Sequence, residues 1–136
     1  MKFDTKAIHV GQKPESTTGA VVVPVFQTST DAQTSPGRHQ GFEYSRTHNP
    51  TRDALQDCVA SLEGAKYGVG FAAGVATEDA VMKLLEVGDK VECTDDVYGG
   101  TYRLFETVFR KEGIDFDWVN TADPAVLEAA IKPGTK

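Results

Sequence analysis

The spacing of apolar positions divides the chain near Asn49-Pro50. From Thr51, its expected cap, to about Glu63, the residues Ala54, Leu55, Cys58, Val59 and Leu62 recur at helical spacing, with Gly64 placed to end the helix. Tyr67-Gly68-Val69-Gly70-Phe71-Ala72 reads as a buried strand. A second helix is predicted from about Val75 to Glu86, with Val81, Leu84 and Leu85 inward and Gly88 as its stop. Lys90 to Thr94 reads as a short strand. A third helix follows from about Thr101 to Lys111, with Leu104, Phe105, Val108 and Phe109 inward and Gly113 as its end. Ile114-Asp115-Phe116-Asp117-Trp118 alternates with period two, as a half-covered strand does. Asp123-Pro124 joins an N-cap to a proline at the first helical position and opens a last helix with Val126, Leu127, Ala130 and Ile131. A helix followed by three strand–helix units predicts an α/β fold with parallel strands and right-handed crossovers. A further strand is expected near Pro133-Gly134-Thr135-Lys136, so the segment reads as the beginning of a larger α/β protein with its sheet incomplete.

Residues 1–50 behave differently. They carry Pro14, Pro24, Pro36 and Pro50, and their one β-like run, Val21 to Val25, contains Pro24, which demotes it to an edge or extended segment. No helix is expected there. A stretch of this kind cannot build its own core and must lie on the rest of the domain or on another subunit.

Composition narrows the classes. A chain of 136 residues fits one domain. Fourteen Lys and Arg against twenty Asp and Glu leave a net charge of −6, which argues against a general nucleic-acid binder. No apolar run approaches a bilayer span, so no membrane role is expected. Cys58 and Cys93 are too few for a disulfide framework and point to a reducing, cytoplasmic setting. His9, His39 and His48 form no metal-ligand spacing with these cysteines, so no metal is assigned. Both cysteines and Trp118 read as core residues.

In open parallel sheets, ligands collect beyond the carboxyl ends of the strands. At Ala72-Ala73-Gly74-Val75 a strand gives way to a helix, and the N–H groups of Gly74 and Val75 form a candidate phosphate site. The same small residues could instead serve only a tight turn. Gly68-Val69-Gly70-Phe71-Ala72-Ala73, with Glu92 downstream, also fits a dinucleotide-binding glycine pattern, but its glycines fall inside the predicted strand. At the second strand end, Thr94-Asp95-Asp96-Val97-Tyr98-Gly99-Gly100-Thr101 offers either a stacking Tyr98 or a solvated acidic turn. A third cluster, Glu43 to Arg52, supplies Tyr44, Arg46 and Arg52, whose guanidinium forks suit phosphate or carboxylate.

Taken in order, Gly41-Phe42-Glu43-Tyr44-Ser45-Arg46, Asn49-Pro50-Thr51-Arg52, Phe71-Ala72-Ala73-Gly74 and Asp95-Asp96-Val97-Tyr98-Gly99-Gly100-Thr101 closely resemble the Cys/Met-metabolism pyridoxal-phosphate enzymes. Within that family the likeness is to the cystathionine γ-synthase and cystathionine γ-lyase members. It runs from Thr5 to Lys136, and the ordered set is far more specific than any single motif.

The resemblance implies an aspartate-aminotransferase-like (fold type I) architecture. Residues 1–52 would be an extended N-terminal arm and inter-subunit cofactor-contacting loop, and 53–136 the first part of the large PLP-binding domain. Gly74 and Val75 would bind the phosphate of pyridoxal 5′-phosphate through backbone N–H groups. Tyr44 and Arg46 would reach the same phosphate from the neighbouring subunit of a dimer, itself expected to pair into a tetramer. Tyr98 would stack on the pyridine ring and assist proton transfer near the substrate amine. The implied chemistry is γ-replacement on an activated homoserine by cysteine, giving cystathionine. The alternative is γ-elimination, as in a cystathionine γ-lyase or methionine γ-lyase.

Two departures stand out: Ala73 occupies a position where the family usually has Ser, and Asp31 one where an aromatic is common. The family's Schiff-base lysine, pyridine-pairing Asp and carboxylate-holding Arg match nothing in residues 1–136, so this chain alone is expected to lack the covalent chemistry. Two other readings stay open from the residues themselves. One is a non-catalytic module that binds a full-length subunit, and the other is a nucleotide-binding domain using Gly68.

Overall fold

The computed structural model describes residues 1–136, which form two compact units, Met1–Gly70 and Phe71–Lys136.

The first unit contains α1 (Phe3–His9) and α2 (Pro50–Leu62). Helix α1 lies in the stretch expected to be non-helical. Seven residues are too few to hold a helix alone, but Lys6 Nζ donates to the Ser61 carbonyl at 2.9 Å, so a tertiary contact with α2 supports it. Helix α2 is capped by Asn49 rather than Thr51. Asn49 accepts from the Thr51 N–H at 2.9 Å, and Pro50 takes the first helical position. The Thr51 hydroxyl is used sideways instead: it donates to the Pro24 carbonyl and accepts from the Phe26 N–H. Ala54 and Ala60 are buried, whereas Leu55 and Val59, predicted to face inward, are exposed.

The predicted strand at 67–72 is absent. The segment pairs with no other strand, and Tyr67, Val69 and Phe71 are exposed. A strand needs a ladder partner for its backbone groups. Here the Gly70 N–H finds Gln56 Oε1 at 2.8 Å instead. A Cβ on Gly68 would lie 2.4 Å from the Gln56 carbonyl oxygen. Gly68 therefore lets the backbone lie directly on α2, which accounts for the first glycine of the misleading dinucleotide-like pattern.

The second unit runs α3 (Gly74–Met82), β1 (Lys90–Thr94), α4 (Gly99–Leu104), a π-helical turn (Phe105–Phe109), β2 (Asp115–Val119) and α5 (Pro124–Ala130). Strands β1 and β2 pair in parallel, from Lys90 opposite Asp115 to Thr94 opposite Val119. The α/β arrangement with a parallel sheet and flanking helices is as expected, but the sheet has two strands rather than three. Thr135 adds an isolated parallel bridge to Lys90 where a further strand was anticipated.

The core joins Met82, Cys93, Phe105, Phe109, Ile114 and Phe116, with Leu85, Val91, Leu104 and Trp118 packed against them. The third helix is not uniform. Arg110 N–H bonds to the Phe105 carbonyl and Ile114 N–H to that of Phe109, one residue beyond α-helical spacing. That wider turn buries Phe105 and Phe109 together and leaves Val108 exposed. Helix α3 ends at Met82, short of Glu86, because the Leu84 and Leu85 N–H groups bond three residues back. Val81 and Leu84 are consequently exposed, against expectation. Asp123 caps α5 as predicted, accepting from the Ala125 N–H at 2.9 Å.

Candidate functional site

In the second unit, Ala73 is the N-cap of α3 in extended conformation and offers no side-chain cap. Its carbonyl accepts from the Ala76 and Thr77 N–H groups, while those of Gly74 and Val75 meet no acceptor in the chain. A Cβ built on Gly74 would touch nothing within 4 Å, so the side-chain direction at this turn is uncrowded. Two free N–H groups at the positive end of a helix suit a phosphate.

Tyr98 precedes α4, and its carbonyl accepts from the Thr101 and Tyr102 N–H groups at 2.9 and 3.2 Å. The residue is 75% exposed. Its ring rests on the backbone of Gly100, where an added Cβ would lie 2.4 Å from Tyr98 Cε1. Glycine at 100 thus leaves room for an aromatic ring braced on one side and open on the other. Thr101, one residue further, is buried and donates to Glu78 Oε1 at 2.7 Å, joining α4 to α3.

In the first unit, Tyr44 and Arg46 are brought together. Arg46 Nη2 donates to the Tyr44 hydroxyl at 2.6 Å, and its guanidinium lies 5.0 Å from the Tyr44 ring centroid. Tyr44 is half-buried and Arg46 exposed. Arg52, a candidate anion ligand from sequence, has a different role. It donates to the carbonyls of Ser45 at 2.9 Å and Thr47 at 2.8 Å, so it braces the loop that presents Tyr44 and Arg46. Ser45 Oγ donates to the Thr28 carbonyl, and Asn49 Nδ2 donates to Ser45 Oγ and the Phe26 carbonyl, completing the frame. His48 lies 3.2 Å from Asp53, a surface contact with no other partner.

Charge elsewhere in the second unit is structural. Two hydrogen bonds from Arg110 and one from Trp118 Nε1 hold the Glu106 carboxyl at about 2. Burial pushes the Cys93 thiol up to about 11, as befits an inert core group. No cluster of three or more His, Cys, Asp or Glu is placed to hold a metal ion, and no helix is long and apolar enough to cross a membrane.

The family description "Cys/Met metabolism PLP-dependent enzyme" matches residues 4–136. The chain belongs to that family. Members of the Cys/Met-metabolism family use pyridoxal phosphate. The chain is 57% identical over 134 residues to a probable cystathionine gamma-synthase of Herpetosiphon aurantiacus, covering 98% of this chain and 42% of the relative. It is 49% identical over 135 residues to a cystathionine beta-lyase of Coxiella burnetii, covering 98% and 35%. Among solved structures, the cystathionine gamma-lyase of Lactobacillus plantarum complexed with L-serine superposes with a TM-score of 0.86 at 46% identity, covering 100% of this chain and 35% of that one. The chain therefore spans well under half the length of these relatives.

Sequence reasoning singled out Gly74, Val75, Tyr98, Tyr44 and Arg46 but missed their supports. Asn49 carried a legible signal, since Asn before Pro is a strong helix start. The Thr101–Glu78 bond carried none, because its partners are 23 residues apart and no local periodicity links them.

Proposed function

We propose that this chain supplies the cofactor-clasping elements of a pyridoxal-phosphate-dependent transsulfuration enzyme. Its reaction is γ-replacement on an activated homoserine: cysteine sulfur bonds to Cγ, and the activating group leaves with its electron pair, giving cystathionine. One observation carries the reading: the N–H groups of Gly74 and Val75, at the start of α3, meet no acceptor in the chain, as a phosphate site requires. The bound cofactor supplies an electron sink for the carbanion left by Cα deprotonation. Gly74 and Val75 hold its phosphate. Arg46 and the Tyr44 hydroxyl, already paired, reach that phosphate from a neighbouring subunit, so active sites are shared across a dimer. Tyr98 covers one ring face, excludes water there, and its hydroxyl exchanges a proton at the substrate amine nitrogen. The covalent anchor of the cofactor is assigned to no lysine of residues 1–136.

The 57% likeness to a probable gamma-synthase supports replacement, whereas the lyase relatives support elimination to an oxo acid and ammonia as the alternative. The holoenzyme, given activated homoserine with and without cysteine, distinguishes them. Cystathionine formed only with cysteine is the expected result. Oxo acid and ammonia released from cystathionine itself would favour the lyase reading, and no cofactor-dependent turnover of either would sink both.

A further inference from the structure

Thr101 is the one buried polar residue of the chain, and its hydroxyl makes the only side-chain hydrogen bond between α3 and α4, to Glu78 Oε1 at 2.7 Å. The other carboxyl oxygen, Glu78 Oε2, is buried without a partner. A half-buried residue with one buried, unpartnered oxygen asks for an explanation. Its place suggests one. Glu78 lies one turn into α3, whose first residues, Gly74 and Val75, carry the free N–H groups. Thr101 lies in the first turn of α4, and its own N–H donates to the Tyr98 carbonyl at 2.9 Å. The same residue thus grips α3 through its side chain and the backbone of Tyr98 through its amide. Gly100, between them, seats the Tyr98 ring.

We infer that Glu78 and Thr101 are positioning residues: their bond sets the spacing between the anion-binding turn of α3 and the ring of Tyr98, so that one ligand carrying both a phosphate and a flat ring spans the two. The inference rests on the cofactor reading above. An alternative use of Thr101, as simple packing, needs no hydroxyl, whereas the spacing role does.

The test compares wild type with Thr101→Val, which keeps the shape and removes the hydroxyl, Thr101→Ser, which keeps the hydroxyl, and Glu78→Gln, which keeps an acceptor. Two readouts are taken. The first needs no cofactor: amide residual dipolar couplings of α3 and α4 in 15N-labelled protein, which report how the two helices are set against each other. The second is the dissociation constant for pyridoxal phosphate with the visible circular dichroism of the bound form. Thr101→Val is expected to change the α3–α4 orientation and to bind roughly tenfold more weakly, the scale of a hydrogen bond to a charged group. Thr101→Ser and Glu78→Gln are expected to keep both. An α3–α4 orientation unchanged in Thr101→Val overturns the inference whether or not cofactor binds. An orientation that changes while affinity and dichroism hold also overturns it, because the spacing then does not serve the ligand. Failure of wild type itself to bind pyridoxal phosphate overturns the cofactor reading and this inference together. Should Thr101→Val not fold, Glu78→Ala breaks the same bond from the other helix and is read in the same way.

Discussion

Changing Gly100 to alanine separates stability from function at a single methyl group. The new Cβ would lie 2.4 Å from Tyr98 Cε1 and 3.0 Å from Cδ1, too close for either atom to stay. Tyr98 is 75% exposed, so its ring swings outward rather than straining the fold. Within the first turn of α4 the exchange itself does not oppose folding, since alanine is the better helix former. On the proposed function, the displaced ring would give up its stacking on the cofactor, worth about 0.5–1.5 kcal/mol, or about two- to tenfold in Kd. Gly99 is the control, because a Cβ there meets nothing within 4 Å. Denaturant unfolding and a pyridoxal phosphate titration, followed by quenching of the single tryptophan, Trp118, measure both effects. Gly100→Ala is expected to be as stable as wild type or more so, and to bind more weakly. Gly99→Ala is expected to bind normally. Unchanged affinity in Gly100→Ala, or equal losses in the two variants, would refute the assigned place of the Tyr98 ring.

The other predictions concern the arm, the core and acid stability. Arg46→Ala removes the donor to the Tyr44 hydroxyl and should weaken cofactor retention in equilibrium dialysis with little change in Tm, because Arg46 is exposed. If sites are shared between subunits, mixing Arg46→Ala with Tyr98→Ala subunits should recover part of the activity that each lacks alone; no recovery would count against the shared arrangement. Phe109→Ala empties the most deeply buried position, 1% exposed, and should cost about 3–5 kcal/mol by denaturant unfolding of the second unit. The Glu106 carboxyl titrates at about 2 when folded against an ordinary 4.5, chiefly through its hydrogen bonds from Arg110. Its folded value is depressed, so its contribution is fully present above about pH 4.5 and is lost as pH falls through about 2. The emission of Trp118, which donates to the same carboxyl, should report that loss in wild type, and Glu106→Gln should remove the pH dependence.

Much of the second unit was legible because its signals are local. Ile114, just before β2, and Phe116 and Trp118 on it alternate inward, and Asp123-Pro124 starts α5 where capping chemistry demands. The misreadings arose where a residue's role is set by something distant in the chain. Val69 and Phe71 have strand-like composition, yet no neighbour offers them a ladder, and Gly68 answers to the backbone of α2. Residues 3–9 lack helical periodicity strong enough to read, and Lys6 holds them by reaching Ser61. The site followed the same rule. Gly74 and Val75 were visible as a break between apolar run and helix. Arg52 looked identical in kind to Arg46, and only the carbonyls of Ser45 and Thr47 show that its donors are spent on the loop.

The central claim is that a phosphate is held by two backbone N–H groups at the start of α3. Amide chemical shifts of Gly74 and Val75 in 15N-labelled protein, followed during titration with pyridoxal phosphate and separately with pyridoxal, test it most directly. The account predicts that both amides move with pyridoxal phosphate and stay in place with pyridoxal. Amides that ignore both compounds, or respond equally to the one without a phosphate, would contradict it.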